Sequence, residues 1–436
     1  MRKKNWMIGC LTVILVGLIG VLCMMGFSKV ADWHTPGLYI QVESGGKTEQ
    51  IRLWKNSDGV FYAFLPGYAD LEDTFLISAG ERERVADMAL EDRISCKKFA
   101  LNTEYSLSYY VNNMDCTGII VFVQSGGVAS LYIDVDSGSM DYIHMDKNNR
   151  ETGSLRLYGA DGSTYCTANL TEVKGRGNTS WDANKKPYNL TLDQEVDILG
   201  MGAAKNWVLL AEGYNVLNIR DKIVYDFADK AGIAWSPDCE WVDLYLNGEY
   251  SGLYLLSERN EIHKERINIA QVGSFVVSQE YEDRLKEQKY PYVTTKSGQT
   301  LRIRYGESNT SWLQHQWQTV ENAILAEDGR DPVSGVHWRE LIDVDSWAKK
   351  YLIEEVFGNL DGGSLSQYYY IDGNNHRGTI YAGPVWDYDF AMGGENVWLR
   401  PYTSYFTMNR VHVNEDVYTP WYPALYQQSE FLDYVK

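Results

Sequence analysis

Two short acidic motifs hold the residue types that a phosphoryl-transfer reaction needs. They are Asn359-Leu-Asp361 and Gly383-Pro-Val-Trp-Asp-Tyr-Asp389, which follow one long helical pattern and are separated by a β-hairpin pattern. An acid that orients a hydroxyl, a hairpin, then an acid that holds Mg²⁺ is the order in which such a site is laid out. Trp386-Asp-Tyr-Asp389 puts two carboxylates inside an apolar segment, where they need partners such as a cation. Asp361 is the candidate catalytic acid, accepting a hydrogen bond from the substrate hydroxyl. Asp387, ending the hairpin strand, is the candidate metal ligand, and Asp389 shares its side, and so the metal, if the strand persists. The competing reading keeps every one of these residues structural. Asn, Asp and Gly are common in the loop after a helix, and aspartates at a strand end can simply face water.

Upstream, Gly175-Arg-Gly-Asn-Thr-Ser-Trp181 is a glycine-rich turn leading towards Lys185-Lys-Pro-Tyr188. Glycines let backbone N–H groups approach an anion, and Arg176 adds charge. Kinases place a lysine on the strand after such a loop, where it reaches nucleotide phosphates. Lys185 and Lys186 are therefore candidate phosphate ligands, against the alternative of solvated charges on an edge strand near a proline. Glu258 closes the apolar strand Leu253-Tyr-Leu-Leu-Ser-Glu258. It is either the polar end of a strand or a carboxylate that pairs a lysine or meets an adenine. Arg220-Asp-Lys222 is either an ion-pair donor into the site or a solvated helix face.

The elements that must position these groups mix two periods. Asn184–Leu192 alternates as a strand with Lys186, Tyr188, Leu190 and Leu192 on one side. Tyr214–Ala231 reads as a helix with Ile219, Ile223, Val224 and Phe227 on its apolar face and Gly232 as its stop. Trp241–Leu246 and Glu249–Glu258 flank Asn247-Gly248, the preferred pair for a type I′ hairpin because both residues tolerate positive φ. A helix from Asp343 to about Gly358 should bury Trp347, Tyr351, Leu352 and Val356, and the segments Ser366–Ile371 and Thr379–Val385 should pair around Asp372-Gly-Asn-Asn375. Before these, Leu38 to about Phe122 holds short strand patterns with turn signals at Ser57-Asp-Gly59 and Pro66-Gly67. They predict a small all-β, sandwich-like domain over residues 30–125, followed by a mixed region over 126–436.

Bulk composition narrows the partners. The 436-residue chain carries a formal charge of −19, which argues against nucleic acid, since phosphate contacts need a basic surface. It is compatible with a basic protein as partner. Aromatic residues make up 13%, with 32 tyrosines, and aromatics favour strands. After the basic tip, residues 1–5, Trp6–Phe27 is an uncharged apolar run, long enough to span a bilayer. The basic flank should stay cytoplasmic. The run exceeds a cleaved signal's apolar region and shows no clear small-residue cleavage site, so a signal-anchor transmembrane helix is expected, with the bulk of the protein extracytoplasmic. No C-x-x-C pair occurs, which disfavours zinc. Disulfides are permitted outside the membrane, and Cys96 with Cys116 is the first pairing expected.

Together the motifs resemble the spore-coat CotH kinases, atypical relatives of protein kinases. Those that carry the resemblance are Lys174–Trp181, Lys185–Tyr188, Leu199–Met201 with Trp207–Leu210, Leu246–Tyr254 with Glu258, Asn359–Asp361 and Ala382–Asp389, in family order over roughly residues 130–436. The resemblance implies an α+β, protein-kinase-like fold that uses ATP and Mg²⁺ or Mn²⁺ to phosphorylate Ser or Thr of a protein. It implies that Lys185 or Lys186 contacts phosphate, that Asp361 is the catalytic acid and that Asp387 binds the metal. Kinases carry an Asn shortly after the catalytic Asp as a second metal ligand. Here the neighbourhood reads Ser364-Leu-Ser-Gln367, and Gln367 or Ser366 is the candidate in its place. Relatives continue beyond the helix in which Phe431–Lys436 lies, which implies an incomplete last lobe. An extracytoplasmic kinase meets little ATP, a difficulty that a spore envelope facing a second cytoplasm would relieve. Two other functions stay open. One is a non-catalytic surface adhesin or scaffold on a kinase-like fold. The other is a metal-dependent sugar transferase that uses Asp387-Tyr-Asp389 as Asp-x-Asp and leaves Lys185, Lys186 and Asp361 without a task.

Overall fold

A computed structural model defines the fold. It describes residues 37–436 except 79–82, 91–92, 112–113, 212, 214–218, 307–309, 360, 376 and 393–418. The fold is mixed α+β and rich in strands. The expected membrane anchor at residues 6–27 lies outside the described residues. Among the described residues no helix is long and apolar enough to cross a membrane.

The chain divides into two compact units, the first running up to Ile133 with Leu157–Thr164 and Asp243–Gly252, the second formed by the remainder. In the first, β1 (Leu38–Ser44), β2 (Lys47–Arg52), β5 (Thr74–Ser78) and β8 (Arg93–Ser95) form a four-stranded sheet in the order β2-β1-β5-β8. A six-stranded sheet follows the order β3-β4-β10-β9-β6-β7, from β3 (Trp54–Lys55), β4 (Val60–Leu65), β6 (Arg84–Val85), β7 (Met88–Ala89), β9 (Glu104–Val111) and β10 (Met114–Gln124). Alternation drives this packing. Leu38, Ile40 and Val42 of β1 and Phe61, Ala63 and Leu65 of β4 are buried in one core, while the residues between them stay partly exposed. Two sheets sharing one core is the sandwich-like arrangement read from the strand patterns.

The expected Cys96–Cys116 disulfide is not formed, and the four described cysteines are free thiols. Cys96 opens a 3₁₀ turn inside the core, where burial pushes its thiol up to about 12. Cys116 sits in mid-strand on β10 opposite Tyr109 of β9.

Seven strands close a barrel in the order β11-β12-β13-β14-β15-β17-β16. They are β11 (Ala129–Val135), β12 (Arg150–Tyr158), β13 (Thr164–Gly175), β14 (Tyr188–Asp197), β15 (Ala203–Leu210), β16 (Cys239–Leu246) and β17 (Glu249–Glu258). The β16–β17 turn has Asn247 at φ 49° and Gly248 at φ 78°, as the Asn-Gly pair predicted. Lys185 and Lys186 are not strand residues as expected. β14 starts at Tyr188, after Pro187, and both lysines belong to the connection before it.

The second unit holds a five-stranded sheet in the order β19-β20-β18-β21-β22, from β18 (Phe275–Gln279), β19 (Tyr292–Thr294), β20 (Thr300–Tyr305), β21 (Tyr368–Ile371) and β22 (Tyr381–Ala382). The helices Thr310–Leu325 and Val344–Phe357 share an aromatic core with it. Trp317 stacks on Trp421 at 5.0 Å, and Trp347 lies 5.1 Å from Tyr369 of β21.

Both helical faces depart from the apolar stripes read in the sequence. Of Ile219, Ile223, Val224 and Phe227, only Val224 is buried, and the inward face of the Arg220–Lys230 helix is instead Asp221, Val224, Tyr225 and Ala228. In the Val344–Phe357 helix, Trp347 and Tyr351 are buried as expected, but Leu352 and Val356 are exposed, while Lys350 and Glu354 are fully enclosed. These two pair at 2.7 Å, the Lys350 ammonium donates to the Tyr388 hydroxyl at 3.0 Å, and that hydroxyl donates to Glu354. A polar group goes inside where its partner is already inside, and the apolar count cannot show that. Removing one member leaves the other charge buried and unpaired, so Lys350→Met or Glu354→Gln should each destabilise by about 3–5 kcal/mol. The double variant should cost clearly less than the sum, as read from urea unfolding of all four proteins; strictly additive losses would mean that the two charges are not coupled.

Candidate active site

The first acidic motif is positioned by helix termination. Asp343 caps the start of the Val344–Phe357 helix by accepting from the Ser346 amide at 2.8 Å, and Gly358, in the left-handed region at φ 58°, ends it. Asn359, fully buried, accepts from the Asp361 amide at 3.2 Å through its Oδ1. The Asp361 carbonyl then accepts from the amides of Ser364 and Leu365, both at 3.0 Å, closing a tight turn.

The second motif is not the strand end expected. β22 stops at Ala382, and Asp387 stands in irregular backbone at φ 68°, a conformation uncommon for residues other than Gly, Asn and Asp. The inward face of the Arg220–Lys230 helix holds this segment. Asp221 accepts from the Tyr388 amide at 2.7 Å, the Tyr225 hydroxyl accepts from the Asp387 amide at 3.3 Å, and Arg220 donates to the Asp389 carbonyl at 2.9 Å. Val385 and Tyr388 are fully buried on either side. The Asp387 carboxylate accepts from the Ser366 hydroxyl at 2.7 Å.

Asp361, Asp387 and Asp389 line one cleft of about 620 Å³ within the second unit, with Ser366, Trp386 and Arg176. Arg176 stands 5.4 Å over the Trp386 ring. Gly175 is required beside it, because a Cβ there would lie 2.3 Å from the Trp181 ring. Arg259, Arg302 and Arg304 line the same cleft. The other cleft cations are engaged: Arg284 pairs with Glu280 at 2.6 Å, Lys174 and Arg150 with Glu172 at 2.7 and 2.9 Å, and Lys147 donates to the Gly177 carbonyl at 3.0 Å. Among the described residues, Arg176, Arg259, Arg302 and Arg304 make no ion pair.

The acids perturb each other. Burial, and next the charge of Asp387, raise Asp361 from the ordinary carboxylate range to about 7. The same two causes raise Asp221 to about 6, against the hydrogen bonds it accepts and the charge of Arg176. A carboxylate pair in mutual repulsion is an oxygen-rich spot that a hard cation relieves. Among the described residues no group of three or more His, Cys, Asp or Glu is arranged to hold a metal. A Mg²⁺ site completes one or two carboxylates with phosphate and water oxygens, so Asp387 with Asp361 or Asp389 fits that cation.

Other expected site residues lie elsewhere. Lys185 donates to the Leu253 carbonyl with its ammonium 4.3 Å from the Tyr254 ring, and Lys186 donates to the Trp181 carbonyl at 2.6 Å. Neither is among the residues lining the acidic cleft. Glu258 closes β17 and pairs with the buried Arg266, which also donates to the Met201 carbonyl at 2.8 Å; burial raises its carboxyl to about 7. Gln367 is fully buried, donates to the Leu365 carbonyl at 3.2 Å, and has no partner for its Oε1. Ser366, beside it, is the residue of that segment that meets Asp387. The sequence reading missed Arg259, Arg302 and Arg304. The signal was there for two of them: Thr300-Leu-Arg-Ile-Arg-Tyr305 alternates apolar and cationic residues, which places both arginines on one strand face.

The raised Asp361 gives a signed pH dependence. The folded protein binds this proton more tightly than the unfolded chain, whose aspartates titrate at about 3.9. The stability from protonated Asp361 is complete below that value and is lost as pH rises through about 7. In chelator, Asp361→Asn should therefore melt above the wild type at pH 8, with the gap narrowing as pH falls below about 7 and closing only near pH 4. Equal melting temperatures at pH 8 would show that no buried charge is being removed.

None of the curated proteins matches the chain. The CotH kinase protein family matches residues 173–436, a span that begins just before the glycine-rich turn and takes in both acidic motifs and the arginines opposite them. The match covers well over half of the sequence, and the chain belongs to the CotH kinase protein family.

Proposed function

We propose that this protein is an atypical, protein-kinase-like phosphotransferase that moves the γ-phosphate of ATP to Ser or Thr of a protein substrate. The observation that carries this reading is one cleft lined by Asp361, Asp387 and four arginines free of ion pairs. Asp361, poised near neutrality, accepts the proton of the attacking hydroxyl as the new O–P bond forms and the bond to the β-phosphate oxygen breaks, releasing ADP. Asp387, fixed by Ser366 and by the backbone on both sides, is the metal ligand, with Asp389 beside it. A bound Mg²⁺ or Mn²⁺ supplies charge neutralisation at the phosphates. The guanidinium groups orient the phosphates.

The substrate end of the reading rests on charge. A wider cleft of about 1430 Å³ continues from the acid site through Lys147, Glu280 and Arg284, and Asp146, Asp182, Glu282, Asp283 and Glu287 line it. That surface favours a basic acceptor protein. The apolar run at residues 6–27 supports membrane anchoring with the domain extracytoplasmic, at a cell surface or in a spore envelope. A non-catalytic adhesin or scaffold is the second reading, favoured by the positions of Lys185, Lys186 and Gln367 away from the cleft.

Melting of the full-length protein with ATP, with Mg²⁺, and with both separates the two. A ligand at a hundredfold excess over its dissociation constant stabilises by about 2.7 kcal/mol. The shift should need both, should vanish in Asp387→Asn, and should persist in Asp361→Asn, which loses transfer alone. Transfer by Asp361→Asn at the wild-type rate would remove its assigned role. No shift in a folded wild type would favour the scaffold. A charge-reversed Glu282→Lys/Asp283→Lys variant should raise KM for a basic acceptor with KM for ATP unchanged; unchanged acceptor KM would exclude this surface as the docking site.

A further inference from the structure

The family motifs point to lysines for phosphate binding, yet the two lysines that follow the glycine-rich turn are spent on backbone carbonyls. The structure offers a different cationic pair. On β20, Leu301 and Ile303 enter the aromatic core with Trp317, and the intervening residues face the acid cleft. The register with β18 pairs Ser278 with Arg302, Val277 with Ile303 and Val276 with Tyr305. Arg304 is thus the additional residue of a β-bulge, a device that re-aims a side chain.

Both guanidiniums are pre-positioned without being neutralised. The Arg302 guanidinium carbon sits over Tyr290, 3.3 Å from the ring centroid, and its buried Nε has no hydrogen-bond partner. Arg304 donates to the Ser278 hydroxyl at 2.8 Å and stands 5.4 Å from the Tyr368 ring. The carboxylate whose charge acts on Arg302, that of Glu280, is already held by Arg284 at 2.6 Å and by the Tyr281 amide at 3.0 Å. Burial and the neighbouring Arg304 charge lower Arg302 to about 10, the response of a cation that lacks an anion. β18 links this pair to the acid side: it lies between β20 and β21, and the Gln279 carbonyl accepts from the Ser366 amide at 3.1 Å. The Ser366 backbone therefore stands about two strand spacings, roughly 10 Å, from β20, and both arginines line the same cleft as Ser366 and Asp387.

We infer that Arg302 and Arg304 form the polyphosphate-binding subsite of this protein, in the place that Lys185 and Lys186 occupy by motif. This rests on the nucleotide reading above for its ligand, a nucleoside triphosphate. Planar guanidiniums suit it, because each can offer two parallel N–H donors to phosphate oxygens.

The test is calorimetric binding of MgATP, adenosine and inorganic tripolyphosphate to the full-length protein and its variants. Arg302→Met/Arg304→Met should lose about a hundredfold in affinity for MgATP, since several charge-assisted hydrogen bonds go, with adenosine binding unchanged. Lys185→Met/Lys186→Met should bind MgATP as the wild type does. Arg302→Lys/Arg304→Lys, which keeps charge and bulk, guards against misfolding and should fall between. MgATP affinity retained in both arginine variants, or lost only in the lysine variant, overturns the inference. Arginine-dependent binding of tripolyphosphate without any binding of MgATP or adenosine would uphold the subsite and sink the kinase reading. A wild type that binds none of the three ligands would overturn both.

Discussion

The buried charge pair of Lys350 and Glu354, closed by the Tyr388 hydroxyl, is the constraint on which the acid site depends. Both ionic side chains are fully enclosed. Such a pair is costly to bury and is tolerated only when geometry and further hydrogen bonds compensate. The compensation here comes from Tyr388, the residue between the two aspartates of the second motif. Glu354 lies on the last turn of the helix that ends at Gly358, three residues before Asp361. One polar cluster thus fixes the helix end from which Asp361 hangs and the segment that carries Asp387. Neither acid could shift far without exposing an unsatisfied charge in the core.

The Arg220–Lys230 helix performs the complementary task from the other side. A segment without regular hydrogen bonding must find acceptors for its amides. Asp221 and Tyr225 supply two of them, to Tyr388 and Asp387. An acidic acceptor behind Asp387 has a further consequence. It adds negative charge to a site that already holds Asp361, and both flanking acids are raised by Asp387 in return. The cleft is therefore electrically unfinished in two ways, with carboxylates in mutual repulsion and guanidiniums without anions among its lining residues. On the proposed reading, a metal-bound polyphosphate satisfies both at once.

How far the sequence shows this depends on the kind of interaction. The strands of the first unit, the Asn247-Gly248 hairpin and the helix before Asn359 were legible, because alternation, turn chemistry and capping act within a few residues. The pairing of β21 with β22 was legible too, though with shorter strands than the apolar run suggested. The inner faces of two helices were not. Ile219, Ile223 and Phe227 outscore Asp221 and Tyr225 on hydrophobicity, yet the latter pair is buried because its partners arrive from residues 387 and 388. The same holds for Lys350 and Glu354 against Leu352 and Val356. Long-range partners decide burial of polar residues, and spacing along one helix carries no record of them.

The lysines illustrate a different limit. Lys185-Lys-Pro-Tyr188 was read as part of a strand because its alternation continues into Leu190 and Leu192, but Pro187 cannot donate a ladder hydrogen bond. β14 accordingly starts one residue later. Once outside the ladder, each lysine folds back onto an aromatic ring and a carbonyl, Lys185 at Tyr254 and Leu253, Lys186 at Trp181. The turn that follows Arg176 is thereby tied shut: Trp181 covers Gly175 and is itself capped by Lys186. A motif position thus keeps its residue type while its contacts become structural. Positive charge at the cleft is carried instead by Arg176, Arg259 and the β20 pair, which no contiguous motif joins and only the fold brings together.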